Sequence, residues 1–167
     1  MSGLRRRHLL GSLALLPLVA AARGEPVITD LTGVAWRMAD FRGGPLLLDI
    51  WASWCAPCVV ALPMLQQMAT EFQVDGLRVV ALSIDRGGAP AALRAYHRMG
   101  ITALPLYLGD PDAVTAGFAV KSLPTTLLFD AAGREFARFA GTQAAPADRL
   151  RAAILDLLRS AHSQAKD

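Results

Sequence analysis

With 167 residues and 53% hydrophobic side chains, the chain has enough apolar surface for one cored domain. The formal charge of +3 misleads: three of the 17 Lys and Arg are Arg5, Arg6 and Arg7, in an opening stretch without acids, and the rest balance the 14 Asp and Glu. A domain of net zero charge with no basic run lacks the electrostatic footprint of a nucleic-acid binder.

Residues 1–22 read as a cleavable export signal. Arg5 to Arg7 lead into the apolar run Leu9 to Val19, which ends in Ala20-Ala21-Ala22. That run is too short to span a bilayer comfortably, and Pro17 interrupts it. Arg6-Arg7-His8-Leu9-Leu10 also resembles a twin-arginine signal, so Sec and twin-arginine export both stay open. The expected mature domain is 23–167.

Within it, Gly43-Gly44-Pro45 opens Leu46-Leu47-Leu48-Asp49-Ile50-Trp51, a nearly continuous apolar run expected as a central strand covered on both faces. From Ala56 the period changes: Cys58, Leu62, Leu65, Ala69 and Phe72 mark one helix face, with Pro63 expected to kink it. Asp75-Gly76 turns the chain into a strand over Leu77 to Ile84, which completes a βαβ unit and makes the sheet at least partly parallel. Further expectations are a helix over Ala89 to Met99 closed by Gly100, a strand over Leu104 to Leu108 and a short helix over Asp112 to Phe118. A hairpin then joins Thr126 to Phe129 with Phe136 to Ala140, and a last helix carries Leu150, Ile154, Leu157 and Leu158, with Pro146 near its start.

The two cysteines, Cys55 and Cys58, stand where the strand feeds the helix. As a structural staple the pair would close too short a loop to restrict the unfolded chain much. Structural zinc usually takes four ligands, and the mature chain adds only His97 and His162, at no ligand spacing. For redox chemistry the position is apt. A thiolate at a helix start faces unpaired N–H groups and the positive end of the dipole, so Cys55 is expected to attack, and Cys58, one turn inside, to resolve. Asp49, inside an apolar strand, must either transfer protons or be satisfied by neighbours; the residues alone leave both open.

Together, Leu48 to Cys58, Leu123-Pro124-Thr125-Thr126 and Asp130 to Gly133 resemble the thioredoxin superfamily, and within it the exported TlpA/ResA-like protein disulfide reductases. Leu31-Thr32-Gly33 and Met38 to Gly43 are similar to the hairpin and lead-in of those proteins, and residues 89–108 sit where they carry an inserted βα stretch. The resemblance implies an α/β, thioredoxin-like three-layer sandwich: a mixed central sheet with helices on both faces, an N-terminal hairpin and a central βα insertion. It implies that Pro124 is a cis-proline facing the cysteines, that Leu123 offers its backbone to an extended client, and that Trp54 and Pro57 border the docking surface. Asp49 matches the buried acid that assists deprotonation of the resolving thiol, although many TlpA/ResA-like proteins have Asn there. Many also carry Glu three residues after the resolving cysteine, where this chain has Ala61. Trp51 reads as packing.

The implied activity is periplasmic disulfide reduction without a bound cofactor. A membrane thiol-electron transporter would be the donor, and apocytochrome c or copper-site assembly proteins would be clients. An oxidase or isomerase and a non-catalytic binding module are the alternatives.

Overall fold

The computed structural model describes residues 25–141 and 146–164, so the signal reading of residues 1–22 lies outside the described part. Its strands are β1 (Ile28–Asp30), β2 (Ala35–Trp36), β3 (Leu46–Trp51), β4 (Arg78–Ser83), β5 (Leu106–Gly109), β6 (Thr125–Phe129) and β7 (Glu135–Ala140). They form one mixed sheet in the order β2-β1-β5-β4-β3-β6-β7. Four α-helices accompany them: α1 (Ala56–Glu71), α2 (Gly88–Met99), α3 (Pro111–Gly117) and α4 (Ala147–Gln164).

All six residues of β3 are buried, as its unbroken apolar run requires, and it lies parallel to β4 and antiparallel to β6. Side-chain alternation along β3 divides the core. Asp49 and Trp51 face one layer, where Trp51 stacks on Tyr96 of α2 at 5.6 Å. In that layer α1 packs against α2, and Glu71 at the end of α1 holds Arg151 of α4 through two hydrogen bonds of 3.1 and 2.6 Å. The other face carries Ile50 and its register partner Leu82, and α3 covers it through Val114. A cluster of Trp36, Phe41 and Tyr107 closes the same side, with ring centroids 5.6 to 5.8 Å apart. The result is the expected thioredoxin-like α/β sandwich, with helices on both faces of an open mixed sheet.

Several element limits differ from the sequence expectations. β5 begins at Leu106 rather than Leu104, because Pro105 has no N–H for the ladder; its carbonyl instead accepts from Ala81 N–H at 3.0 Å. α3 begins at Pro111 rather than Asp112, because Asp110 caps it by accepting from the N–H groups of Asp112 and Ala113. α2 starts one residue early at Gly88, and Gly100 closes it in the left-handed conformation at φ 65°. α1 continues unbroken through Pro63.

Candidate active site

The connection from β3 to α1 brings the cysteines to one end of the sheet. Trp51 ends the strand, the N–H of Cys55 donates to Ala52 C=O at 3.1 Å to close a turn, and Cys55 becomes the N-cap of α1. Its sulfur accepts from Cys58 N–H at 3.3 Å and is joined to the Cys58 sulfur at 2.03 Å. The helix start therefore presents a backbone donor to Cys55, which is the interaction that favours a thiolate. The two residues differ in access: both are buried, but Cys55 keeps 7% of its surface and Cys58 none. Pro57 sits in the first turn of α1, where its missing N–H costs no hydrogen bond, and neither Ala56 nor Pro57 adds a charge.

Asp49 lies beneath this end of the sheet with 1% of its surface exposed. Its Oδ1 accepts from the Thr126 hydroxyl at 2.7 Å, while Oδ2 has no hydrogen-bond partner among the described residues. Burial raises the carboxyl from 3.8 to about 6, against the opposing pull of the Thr126 bond. Two more orphaned polar atoms, Trp51 Nε1 and Tyr96 OH, are buried on the same side of the sheet. The Tyr96 phenol stays neutral, its ionisation pushed well upward by burial and by the Asp49 charge.

Around the cysteines, Trp54 is 69% exposed, Pro57 is exposed and Leu123 is half-buried. The Leu123-Pro124 peptide is cis, as the resemblance implied. Because Ile50 pairs with Thr125, Pro124 stands one residue beyond the ladder, at the sheet end from which the cysteine turn emerges. Pro124 is buried, and its carbonyl accepts from Gly141 N–H at 2.8 Å. Trp51 is fully buried packing, and His97 is exposed on α2. His162 lies where side chains are not described. Among the described residues no three His, Cys, Asp or Glu side chains converge in ligating geometry.

Two features escaped sequence reasoning. Thr126 holds Asp49 from 77 residues away, and only the β3–β6 register reveals it. Asp85, beyond the end of β4, accepts from both the N–H and the hydroxyl of Ser53, two residues before Cys55. A clue existed in the sequence, since equal offsets past two parallel strands place 53 beside 85.

A bonded cysteine pair at a helix start, with the second cysteine fully enclosed, and a buried acid nearby suit thiol–disulfide exchange. Curated relatives and solved structures agree in kind. The chain is 30% identical over 118 residues to the thiol-disulfide oxidoreductase ResA of Geobacillus thermodenitrificans, covering 70% of this chain and 66% of that one. The ResA of Geobacillus kaustophilus is 30% identical over 117 residues, covering 69% and 65%. The match thus spans slightly under two thirds of these relatives. A crystal structure from Chlorobium tepidum, assigned as a thiol:disulfide interchange protein DsbE, superposes with TM-score 0.70 at 28% identity over 82% of this chain and 95% of that one. Residues 22–143 match the family model described as AhpC/TSA, and the chain belongs to that thioredoxin-fold family.

Proposed function

We propose that this protein is a thiol–disulfide oxidoreductase that reduces disulfides in client proteins outside the cytoplasm, through Cys55 and Cys58. The observation that carries the reading is a bonded cysteine pair at a helix start, with Cys55 at the N-cap keeping a little exposed surface and Cys58, inside the first turn, keeping none. The Cys55 thiolate attacks one client sulfur, forming a mixed disulfide and releasing the other client sulfur as a thiolate. Cys58 then loses its proton and attacks the Cys55 sulfur, which expels the client's second thiolate. The client gains two electrons and the protein becomes the disulfide. Asp49, ionised above about pH 6, is the base that takes the Cys58 proton. Trp54, Pro57, Leu123 and Pro124 form the client surface around that event.

The direction follows from what stabilises the dithiol. A strong oxidant needs its reduced thiolate held by interactions beyond the helix start; Ala56 and Pro57 supply none, and the buried Asp49 charge opposes a thiolate. Such a reductase needs electrons from outside an oxidising compartment, which fits a membrane thiol-electron transporter as donor and apocytochrome c or copper-site assembly proteins as clients in a periplasm. Residues 1–22, as an export signal removed near Ala22, would deliver 23–167 there by the Sec or the twin-arginine route.

Equilibration with glutathione tests the direction. The expected potential lies nearer thioredoxin's, about −270 mV, than a dedicated oxidant's, about −120 mV. Alkylation trapping in cells should find mainly dithiol. A strongly oxidising potential with a disulfide resting state would reverse the proposed direction.

A further inference from the structure

Asp85 is a buried carboxylate that the exchange steps above leave without a task. It keeps 8% of its surface and sits two residues past the end of β4. The β3–β4 register pairs Trp51 with Ser83, and Ile84 N–H donates to Trp51 C=O at 2.9 Å, so the parallel alignment continues beyond both strands. It brings Asp85 beside Ser53, in the turn that delivers the nucleophile. Ser53 N–H donates to Asp85 Oδ2 at 2.9 Å, and the Ser53 hydroxyl donates to Oδ1 at 2.7 Å. From the other side, the Ser83 hydroxyl donates to Oδ2 at 2.8 Å and accepts from Asp85 N–H at 3.2 Å. Three donors thus hold the carboxylate, and no basic side chain pairs with it among the described residues.

The turn is otherwise held at its two ends, where Ala52 and Cys55 pack in the core. Trp54 is largely exposed, Ala56 and Pro57 face solvent, and the bond from Cys55 N–H to Ala52 C=O closes the turn without fixing it to the rest of the sheet. We infer that Asp85 is a positioning residue for the exchange reaction: through Ser53 it ties the strand-to-helix turn to the end of β4 and keeps the Cys55 sulfur against the Cys58 N–H in the first turn of α1. The inference rests on Cys55 being the attacking thiol. Charge-assisted bonds to a backbone N–H and a hydroxyl of one residue fix both its main chain and its side chain, which a single neutral bond does not. Small displacements of a nucleophile from its activating donor lower its reactivity steeply.

A carboxylate could also act on Cys55 by its charge alone, and the two roles have opposite signs. Negative charge nearby disfavours a thiolate, so removing it would speed Cys55 chemistry; loosening the turn would slow it. The test is the pH dependence of iodoacetamide alkylation of the reduced full-length mature chain, with the modified cysteine mapped by mass. Ser53→Ala keeps the Asp85 charge and the amide bond but removes the hydroxyl donor. It is expected to slow Cys55 alkylation at pH 7 about tenfold by moving the midpoint to higher pH, the effect of one charge-assisted bond. Ser53→Thr restores the donor and should return the profile to within about twofold of the parent. Asp85→Asn should slow Cys55 despite losing a negative charge. A Ser53→Ala profile identical to the parent's, or faster alkylation in Asp85→Asn, would overturn the positioning role while leaving Cys55 as the nucleophile. Alkylation of Cys58 in preference to Cys55 in the parent would instead remove the attacking-thiol reading and this inference with it. Should Asp85→Asn fail to fold, the Ser53 pair decides alone.

Discussion

Replacing Asp49 by Asn isolates the charge of the buried acid, because Asn keeps the size of the side chain and an oxygen to accept from the Thr126 hydroxyl. In the folded protein burial raises Asp49 to about 6, against an ordinary 3.8. A difference of about two units, at about 1.4 kcal/mol per unit, makes the ionised carboxylate cost about 3 kcal/mol of stability. The sign follows from which state holds the proton. Below about pH 4 both folded and unfolded chains carry it and there is no cost. Between about pH 4 and 6 the unfolded chain releases it first, so stability falls as pH rises, and above about pH 7 the loss is complete. Urea unfolding of the oxidised protein at steps from pH 4 to 8 keeps the cysteines from titrating and measures this directly. The stability of Asp49→Asn relative to the parent should climb by about 3 kcal/mol across that range, most steeply near pH 5. A difference that stays constant with pH would refute the argument, since it would mean that Asp49 titrates as an exposed carboxyl does.

Thr126→Val removes the hydroxyl that bonds Asp49; it should destabilise the protein by about 1–3 kcal/mol at pH 7 and shift the pH-dependent loss of stability upward, both read by the same urea series. Trp54→Ala removes an exposed ring, so unfolding should change by no more than about 0.5 kcal/mol while KM for a protein disulfide rises; an unchanged KM would take Trp54 out of the client surface. Gly109→Ala would set a Cβ 2.5 Å from Val114 Cγ2 and 3.2 Å from Leu82 Cδ1, so thermal unfolding should show a loss of about 1–3 kcal/mol. An unchanged midpoint would mean that α3 does not press against β5 as described.

Much of the fold was legible because its strongest signals are local. The apolar run from Leu46 to Trp51 and the three-and-four spacing from Cys58 to Phe72 appear as β3 and α1, and the change of period between them marks the site. Element ends were read less well where one atom decides them: the missing N–H of Pro105 delays β5, and the Asp110 carboxylate starts α3 early. Beyond the βαβ unit the mixed character of the sheet came from resemblance and the strand order only from the structure, because nothing in the periodicity of Thr126 to Phe129 says that this strand lies antiparallel beside β3. The partners of Asp49 and Ser53 depend on register across 77 and 32 residues, which hydrophobic pattern alone does not specify. Yet Thr126 moderates the proton affinity that burial gives Asp49, and the bonds from Ser53 to Asp85 join the cysteine turn to the end of β4. The cysteine pair and Asp49 were visible in the sequence; Thr126 and Asp85 emerged as partners of Asp49 and Ser53 only once strands were aligned.

The account stands on one division of labour, with Cys55 attacking and Cys58 resolving. Intact mass and peptide mapping after mixing each reduced single-cysteine variant with a disulfide-bonded protein measure it directly. Cys58→Ser should accumulate a mixed disulfide through Cys55, because the helix start favours its thiolate and nothing remains to resolve it. Cys55→Ser should accumulate little, because the Cys58 sulfur is enclosed. Equal trapping by the two variants, or trapping through Cys58 alone, would contradict the account.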